Sequence, residues 1–344
     1  MTYVETSDKN NRPVPYYLAV EEVLARRRQA SDCLLMWQVD PSVIFGRNQL
    51  MRNEVDIDYC RQHGISTFRR KSGGGCVYAD RGNIMLSLVT RADSVATSYN
   101  RYTTMLLWAL QKMGISATAN GRNDILIGGR KVSGNAFYHL GHSNIVHGTL
   151  LYDTTMSHMT GALTPPKEKL RSKGVESIRQ HVTLLKEHTT MSIGQVKDSI
   201  RQLLCADTYR LTAEEEAEAE AIMQEYLSRD FICGHDPAYT VERRGRIEGV
   251  GNFDISITLR NNVIKAMALS GDFFAVGDID KGIVEPLINT PLNRESLLSR
   301  LPESLGHIVM NLRRDELAAI LLTADPTAAH DESSLQKTEN QQTR

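Results

Sequence analysis

The sequence has little cysteine and lacks a long apolar run. Five cysteines occur among its 344 residues: Cys33, Cys60, Cys76, Cys205 and Cys233. This odd number, without a Cys-x-x-Cys pair, argues against a disulfide framework and against a cysteine-based zinc site. The longest purely apolar run, residues 105–110, is far shorter than the roughly 20 residues that cross a bilayer. Because the polar start does not resemble a signal peptide, we expect a soluble protein in a reducing cytoplasm.

An excess of charge of one sign is also missing. The 40 lysines and arginines nearly balance the 41 aspartates and glutamates. We therefore expect neither non-specific binding to nucleic acid nor a polybasic membrane anchor. The hydrophobic share of 41% excludes disorder as the main state. The length predicts two folded units, in a chain that we expect to be monomeric.

Short apolar runs and amphipathic stretches predict a mixed α+β architecture. Helices are expected at 16–29, 97–113, 192–205 and 212–228. Between 34 and 152, short β-branched and apolar runs predict strands, without the regular alternation of a doubly wound sheet. Trp108 is expected on the apolar face of its helix. The acidic run 214–220 is interpreted as a solvated face.

A change of pattern near residue 233 predicts a second domain. Alternating segments flank Asn261 and Asn262 and indicate a β-hairpin. The last residues are poor in apolar side chains, so we expect them to be disordered. The predicted division is a first domain at 1–232, a small α+β domain at 233–324 and a disordered tail at 325–344.

The strongest local signal is the triplet Gly73-Gly74-Gly75, which follows Arg69 and Arg70 between two predicted strands. Three glycines let backbone N–H groups approach a phosphate or carboxylate, and Arg70 supplies positive charge. A tight β-turn explains the composition of this loop equally well. The segment matches neither Gly-x-Gly-x-x-Gly nor a Walker loop, which argues against a P-loop NTPase.

Two further segments place single polar groups in strands. Lys131 begins a predicted strand after a glycine turn, where its ammonium can neutralise developing negative charge. His147 interrupts an otherwise buried strand. Taken singly, a surface lysine and a satisfied core histidine are the simpler interpretations. His139, His142 and His147 fit no metal-ligand spacing, so no dedicated metal site is expected, and no Ser-His-Asp or Cys-His arrangement stands out.

Together these segments resemble the lipoate–protein ligase family, whose fold is shared with biotin ligases and octanoyl transferases. The motifs that carry the resemblance are Leu18-Ala19-Val20-Glu21-Glu22, Arg69 to Tyr78, Asn123-Asp124, Gly129 to Gly134, His147 to Leu151 and Ser172 to Arg179. The resemblance implies a mixed β-sheet catalytic domain of the biotin/lipoate ligase type. The later Gly271-Asp272-Phe273-Phe274 looks like the accessory domain that ligases of this family carry and octanoyl transferases generally lack.

The resemblance also implies roles for individual residues. Lys131 would hold the carboxylate and the α-phosphate during adenylation. The lipoyl group would contact Leu18, Trp37, Arg70, Ser72 and His147. ATP and the adenylate would contact Gly73, Gly74, Gly75, Val77, Tyr78, Asp124, Lys131, Lys173 and Arg179.

The implied activity is that of an ATP-dependent lipoate–protein ligase. ATP with Mg²⁺ would convert lipoate into lipoyl-AMP, and a lysine of a carrier domain would displace AMP. The expected partners are lipoyl domains of 2-oxoacid dehydrogenase acyltransferase subunits or the glycine cleavage H protein. No enzyme nucleophile would be required.

Other functions stay open at this point. An ATP-independent lipoyl or octanoyl transferase shares the fold, although no cysteine lies near His147 in the sequence to accept the acyl group. A biotin ligase is favoured by fold analogy alone. A paralogue that binds a lipoyl domain without catalysis is favoured by Ala79, His181 and Leu184, which replace the family's usual histidine, arginine and asparagine.

Overall fold

The computed structural model describes residues 1–7, 12–28, 32–91, 94–120, 124–163, 181–233 and 241–323. The chain forms two compact units, residues 1–235 and residues 236–344. The first contains a large mixed sheet, and the second contains a small antiparallel sheet. The mixed α+β fold expected from the sequence is confirmed. The predicted tail, 325–344, lies outside the described residues.

Most strands of the first unit have three to five residues, and most lie in its first two thirds. They are β1 (Thr2–Glu5), β2 (Cys33–Trp37), β3 (Ser42–Phe45), β4 (Ser66–Arg69), β5 (Val77–Ala79), β6 (Asn83–Thr90), β7 (Ala117–Ala119), β8 (Asp124–Ile127), β9 (Arg130–Leu140), β10 (Ser143–Leu151) and β11 (Asp207–Arg210). Eight of them form one sheet in the order β11-β1-β2-β6-β10-β9-β8-β7. Its β11-β1-β2 edge is parallel and the other pairs are antiparallel.

The register of the central strands decides which side chains meet. On β10, His147 lies opposite Ser87 of β6 on one side and Ala136 of β9 on the other. At the end of β2, Trp37 lies opposite Met85 of β6. Residues from distant parts of the chain therefore share the middle of this sheet.

A second sheet in the same unit holds the glycine loop. Its order is β4-β3-β5, with β4 parallel and β5 antiparallel to β3. The Gly73-Gly74-Gly75 triplet lies between β4 and β5 in the chain. Because both flanking strands pair with β3, the loop has a fixed entry and a fixed exit.

The helices of the first unit are α1 (Val14–Arg27), α2 (Met51–Glu54), α3 (Ile57–Gln62), α4 (Val95–Lys112), α5 (Met156–Ala162), α6 (Ile193–Leu204), α7 (Ala213–Leu227) and α8 (Arg229–Cys233). Pro15 in the first turn and Arg26 and Arg27 in the last favour the ends of α1. This helix is buried along most of its length because it contacts β6, β9, β10 and α7.

The interpretation of the acidic run on α7 as a solvated face was wrong in part. Arg27 of α1 pairs with Glu214 at 3.0 Å and with Glu218 at 2.5 Å. Arg12 pairs with Glu220. No local pattern indicates these pairs, because they join residues that are far apart in the chain. The run stabilises the contact between α7 and α1.

The expected burial of Trp108 on α4 was also wrong. Trp108 is 42% exposed, while Tyr102, Leu106, Ala109 and Leu110 are fully buried. Two helical positions separate Trp108 from Leu106, which turns the Trp108 side chain about 200° away from that of Leu106.

None of the described helices is both long enough and apolar enough to span a membrane.

The second unit is built on three antiparallel strands, β12 (Val241–Ile247), β13 (Gly251–Arg260) and β14 (Val263–Gly271). The predicted hairpin is confirmed: β13 and β14 join at Asn261 and Asn262, which both take positive φ, as asparagine tolerates. After a π-helical turn at Asp280–Val284 follow α9 (Glu285–Leu287), α10 (Arg294–Arg300) and α11 (Arg314–Leu321). The core includes Phe253 stacked on Phe273, with ring centroids 4.7 Å apart.

Candidate active site

A pocket opens over the middle of the large sheet. Its predicted members are Leu18, Trp37, Arg70, Gly74, Gly75, Val77, Lys131 and His147. Its further lining residues, which the sequence reasoning missed, are Ile44, Cys76, Met85, Gly134, Asn135, Ala136, Gly148 and Thr149. Cys76, Gly134, Gly148 and Thr149 lie within the motifs named above, whereas the other four carry no sequence signal, since a buried strand has no pattern that tells which residues face a cavity. Lys131 and the glycine loop do meet at one site.

Other predicted residues lie elsewhere. Ser72 and Tyr78 are buried and do not line the pocket, and neither does Gly73 or Asp124. Lys173 and Arg179 lie outside the described residues.

Arg70 holds the glycine loop from the inside. Its guanidinium donates to the carbonyl oxygens of Ile44 at 2.9 Å, Gly73 at 2.6 Å and Gly75 at 2.8 Å, and its Nε donates to Ser72 Oγ at 2.9 Å. The side chain is 5% exposed, and burial lowers the pKa of Arg70 to about 10. The residue is still a cation at neutral pH. It fixes the loop and also places positive charge beside the pocket.

The turn after β3 packs directly on the same loop. Arg69 donates to the carbonyl oxygens of Arg47 at 2.6 Å and Gln49 at 2.7 Å. A Cβ on Gly46 would lie 2.2 Å from the carbonyl oxygen of Gly74, so only glycine fits there. Gly74 itself takes φ 83°, which glycine adopts without strain. Backbone-to-backbone packing therefore makes this loop a rigid wall.

Lys131 occupies the opposite side of the pocket. Its Nζ lies 2.7 Å from Oδ1 of Asp124, and its side chain is 36% exposed. A Cβ on Gly134 would lie 2.7 Å from both Cε and Nζ of this lysine. Gly134 thus leaves the space in which the ammonium lies. The arrangement presents a partly solvated cation to any anion bound in the pocket.

Val182 and Thr183 contact the backbone of Lys131. Val182 forms a parallel bridge with Lys131, and the N–H of Thr183 donates to its carbonyl oxygen at 2.8 Å. The hydroxyl of Thr183 donates to Glu187 at 3.0 Å. This support was missed because it depends on two segments meeting in space.

The structure brings Ser72, His147 and Glu21 together in the order of a catalytic triad. The Nε2 atom of His147 lies 2.7 Å from Ser72 Oγ, and its Nδ1 lies 2.9 Å from Glu21 Oε2. No such contact stood out in the sequence, since these residues are distant in the chain. However, Ser72 is fully buried and its Oγ already accepts from Arg70. The geometry fixes the loop and offers no exposed nucleophile.

Two more ionisable groups follow the glycine loop in the chain. Burial raises the pKa of the Cys76 thiol, so this lining residue is a protonated thiol at neutral pH. The hydroxyl of Tyr78 donates to Asp80 at 3.2 Å and lies 3.4 Å from Nδ1 of His158. Burial also raises the pKa of Tyr78. Neither group is an activated nucleophile.

Comparison with known proteins gives two family matches. The family described as lipoyl protein ligase A/B catalytic domain matches residues 13–204, and bacterial lipoate protein ligase C-terminus matches residues 236–321. Lipoate-protein ligase LplJ of Bacillus subtilis (strain 168) is 29% identical over 335 residues, which cover 93% of this chain and all of that protein. Lipoate–protein ligase 1 of Staphylococcus aureus (strain Mu50) is 31% identical over 314 residues, or 88% of this chain and 95% of that protein.

Solved structures show the same fold. P. falciparum LipL1 in complex with lipoate has a TM-score of 0.74 at 17% identity, covering 94% of this chain and 99% of that chain. An archaeal bi-partite lipoate protein ligase, solved with its E2 lipoyl domain from Thermoplasma acidophilum, has a TM-score of 0.61 at 25% identity, covering 70% and 98%. Lipoate-protein ligase A bound with ATP has a TM-score of 0.58 at 23% identity, covering 68% and 97%. With more than half of its residues matched by the catalytic-domain family, the chain belongs to the lipoate–protein ligase family.

Proposed function

We propose that this protein is an ATP-dependent lipoate–protein ligase. It activates lipoate as lipoyl-AMP and transfers the lipoyl group to a lysine of a carrier domain. The observation that carries the proposal is one pocket whose lining combines apolar side chains with a rigid glycine loop and Lys131. An acyl chain needs the apolar side chains, and an anionic mixed anhydride needs the loop and the lysine.

In the first step, a carboxylate oxygen of lipoate attacks the α-phosphorus of ATP and the bond to pyrophosphate breaks. The Lys131 ammonium neutralises the charge that gathers on the oxygens of the new acyl–phosphate linkage. The buried Arg70 cation adds to the positive potential beside the loop. In the second step, the amine of the acceptor lysine attacks the acyl carbonyl, AMP leaves with the bonding electrons, and the amine loses a proton.

The pocket suggests where each part of the substrate lies. We assign the acyl chain to the apolar side, against Leu18, Trp37, Ile44 and Met85. We assign the adenylate to the loop and to the Lys131 end, with Val77, Tyr78 and Asp124 toward the nucleoside. Lys173 and Arg179 stay proposed contacts of the adenylate.

Mg²⁺ would neutralise the triphosphate of ATP. Within the described ranges, no three His, Cys, Asp or Glu side chains are grouped to hold a metal ion. In nucleotide sites Mg²⁺ takes one or two carboxylates together with substrate phosphates. We therefore propose no dedicated protein site for Mg²⁺, which the phosphates of ATP would hold.

The acceptor is a carrier domain with an exposed lysine. We propose lipoyl domains of 2-oxoacid dehydrogenase acyltransferase subunits, or the glycine cleavage H protein, as partners of a monomeric cytoplasmic enzyme. The neutral Cys76 thiol disfavours a thioester route, because only the thiolate is a competent acyl acceptor. This argues against an ATP-independent transferase.

The deciding experiment is lipoate-dependent exchange of labelled pyrophosphate into ATP. The purified protein is incubated with ATP and Mg²⁺ in the absence of any acceptor domain, so that only the activation step is measured. We expect exchange that requires lipoate. Absence of exchange with lipoate, octanoate and biotin would contradict the proposal and favour a transferase or a non-catalytic binder.

A further inference from the structure

A chain of buried hydrogen bonds joins the apolar side of the pocket to the glycine loop. We call it the buried relay, and its members are Trp37, Ser87, Glu21, His147, Ser72 and Arg70. Trp37 Nε1 donates to Ser87 Oγ at 3.0 Å, and Ser87 Oγ donates to Glu21 Oε1 at 2.6 Å. Glu21 contacts Nδ1 of His147 through both carboxylate oxygens, at 2.9 and 3.0 Å.

The first arm of the relay runs from Trp37 through Ser87 to Glu21, and the chemistry of the donors sets its direction. The indole N–H of Trp37 can only donate, so Ser87 accepts there and points its own hydrogen at Glu21. Glu21 is fully buried. It therefore receives one hydrogen bond from the arm that ends at the Trp37 ring.

The second arm runs from Arg70 through Ser72 and His147 to Glu21, and it also has one consistent direction. Ser72 Oγ accepts from Nε of Arg70, and Ser72 is fully buried. In the described part of the chain, the acceptor for its own hydrogen is Nε2 of His147, 2.7 Å away. His147 then carries its proton on Nδ1 and donates it to Glu21. Both arms thus end on the same carboxylate.

Glu21 does not line the pocket, but it holds two residues that do. Trp37 and His147 both face the pocket and both depend on Glu21, one through Ser87 and one directly. A buried carboxylate is costly unless donors surround it, and here each donor also fixes a pocket wall. Replacing the carboxylate by an amide keeps an acceptor for Ser87 but puts a donor opposite Nδ1 of His147, so the direction of the relay must change.

We propose that Glu21 is a positioning residue that sets the acyl selectivity of the pocket through this relay. The inference rests on the proposed function and deepens it. An acyl chain that ends in a ring must fit between the fixed indole and imidazole, whereas a straight chain tolerates a looser space. A relay with a defined direction therefore favours the ring-bearing acid over an unbranched acid of similar length.

Glu22 provides a matched control on the same helix. It is also fully buried, but its carboxylate accepts from Tyr226 at 2.7 Å, Lys71 at 2.8 Å and Arg26 at 3.0 Å, outside the pocket lining. Glu22→Gln also replaces a buried carboxylate of α1 by an amide, at a residue whose partners lie outside the pocket lining. We expect it to lower stability while leaving acyl selectivity unchanged.

The test compares wild type, Glu21→Gln and Glu22→Gln as full-length proteins. Pyrophosphate exchange gives kcat and KM for lipoate, for octanoate and for ATP. We expect Glu21→Gln to lower the lipoate-to-octanoate ratio of kcat/KM about tenfold, the scale on which a pocket senses one methylene group, with the KM for ATP unchanged. Thermal unfolding confirms that each variant is folded.

A second measurement reads the relay without using activity. Nitrogen-15 NMR of histidine-labelled protein should show His147 protonated at Nδ1 in the wild type. In Glu21→Gln the amide donates to Nδ1, so the proton moves to Nε2. If Glu21→Gln does not fold, Ser87→Ala cuts only the Trp37 arm and should lower the same ratio while leaving the His147 tautomer unchanged.

Three results would overturn the inference: an unchanged ratio in folded Glu21→Gln, an equal change in Glu22→Gln, or Nε2 protonation of His147 in the wild type. These differ from failure of the proposed function. In that case the wild type would activate no lipoate at all, while the NMR result would still decide whether the relay has the stated direction.

Discussion

The two charged sides of the pocket are built in opposite ways. On the loop side, Arg70 is 5% exposed and makes four hydrogen bonds to groups of its own loop and of β3. On the other side, Lys131 is 36% exposed, and within the described ranges its ammonium forms an ion pair with Asp124. Arg70 is therefore a fixed structural residue, and Lys131 is a less constrained cation.

The difference between Arg70 and Lys131 suits two tasks, holding a loop and stabilising charge in a reaction. A guanidinium has five donors in a fixed plane and can satisfy several carbonyl oxygens at once, which makes a loop rigid. An ammonium on a flexible stem can follow negative charge as it develops from carboxylate to mixed anhydride. The comparison teaches that identical formal charge serves structure at one side of the pocket and chemistry at the other.

Lys131→Ala should have the largest effect. We expect kcat/KM for lipoate-dependent pyrophosphate exchange to fall by about 1000-fold, the scale for removing a preorganised charge from a transition state. The melting temperature should stay near that of the wild type because the side chain is partly exposed. Lys112→Ala, at an exposed position on α4, is the control. Wild-type activity in Lys131→Ala would refute the assignment of this lysine.

Arg70→Lys should chiefly affect stability. An ammonium cannot reach the four acceptors that the guanidinium serves, and its buried charge would be left poorly solvated. We expect the free energy of unfolding to fall by about 3 kcal/mol, measured by urea denaturation, with loss of exchange activity. Arg47→Lys, at an exposed neighbouring position, should change neither the free energy of unfolding nor the exchange activity. A variant as stable as the wild type would show that Arg70 does not hold the loop.

Gly134→Ala should have the smallest effect and act on activity. Its Cβ would lie 2.7 Å from the end of Lys131, which is flexible and can move aside. We expect kcat to fall about tenfold, since a small displacement of a reacting group is costly, with little change in stability. In the contrasting Gly46→Ala, the Cβ meets the backbone of Gly74 at 2.2 Å, and unfolding free energy should fall by about 1–3 kcal/mol. Equal stability losses in both would erase the contrast between the two sides.

Much of the fold was predictable from local patterns. The helices at 16–29 and 97–113, most strands between 34 and 152 and the hairpin at Asn261 and Asn262 were predicted within a few residues. Short elements such as β7, β11 and α2 were missed, because three or four residues carry too little periodicity to stand out. The errors at Trp108 and on α7 arose where tertiary contacts decide which face of a helix is covered.

The candidate site was predictable in part. The motifs identified Lys131, His147 and the glycine triplet, and the structure places all three segments around one pocket. Glu21 was quoted only as part of a helix motif. Nothing in its spacing indicates that it meets Ser87 and His147, since that contact depends on how α1 lies across β6 and β10.

The sequence by itself determined the residue types and the local elements: a helix with two adjacent glutamates, a glycine triplet after two arginines, and a lysine that follows a glycine turn. These are set by short-range geometry, which the chain carries wherever it folds. The tertiary structure alone decided that Arg70 turns inward, that Asp124 meets Lys131, and that Glu21 joins Trp37 to His147. Such contacts require the pairing register of strands far apart in the chain, and that register is fixed only when the whole sheet forms.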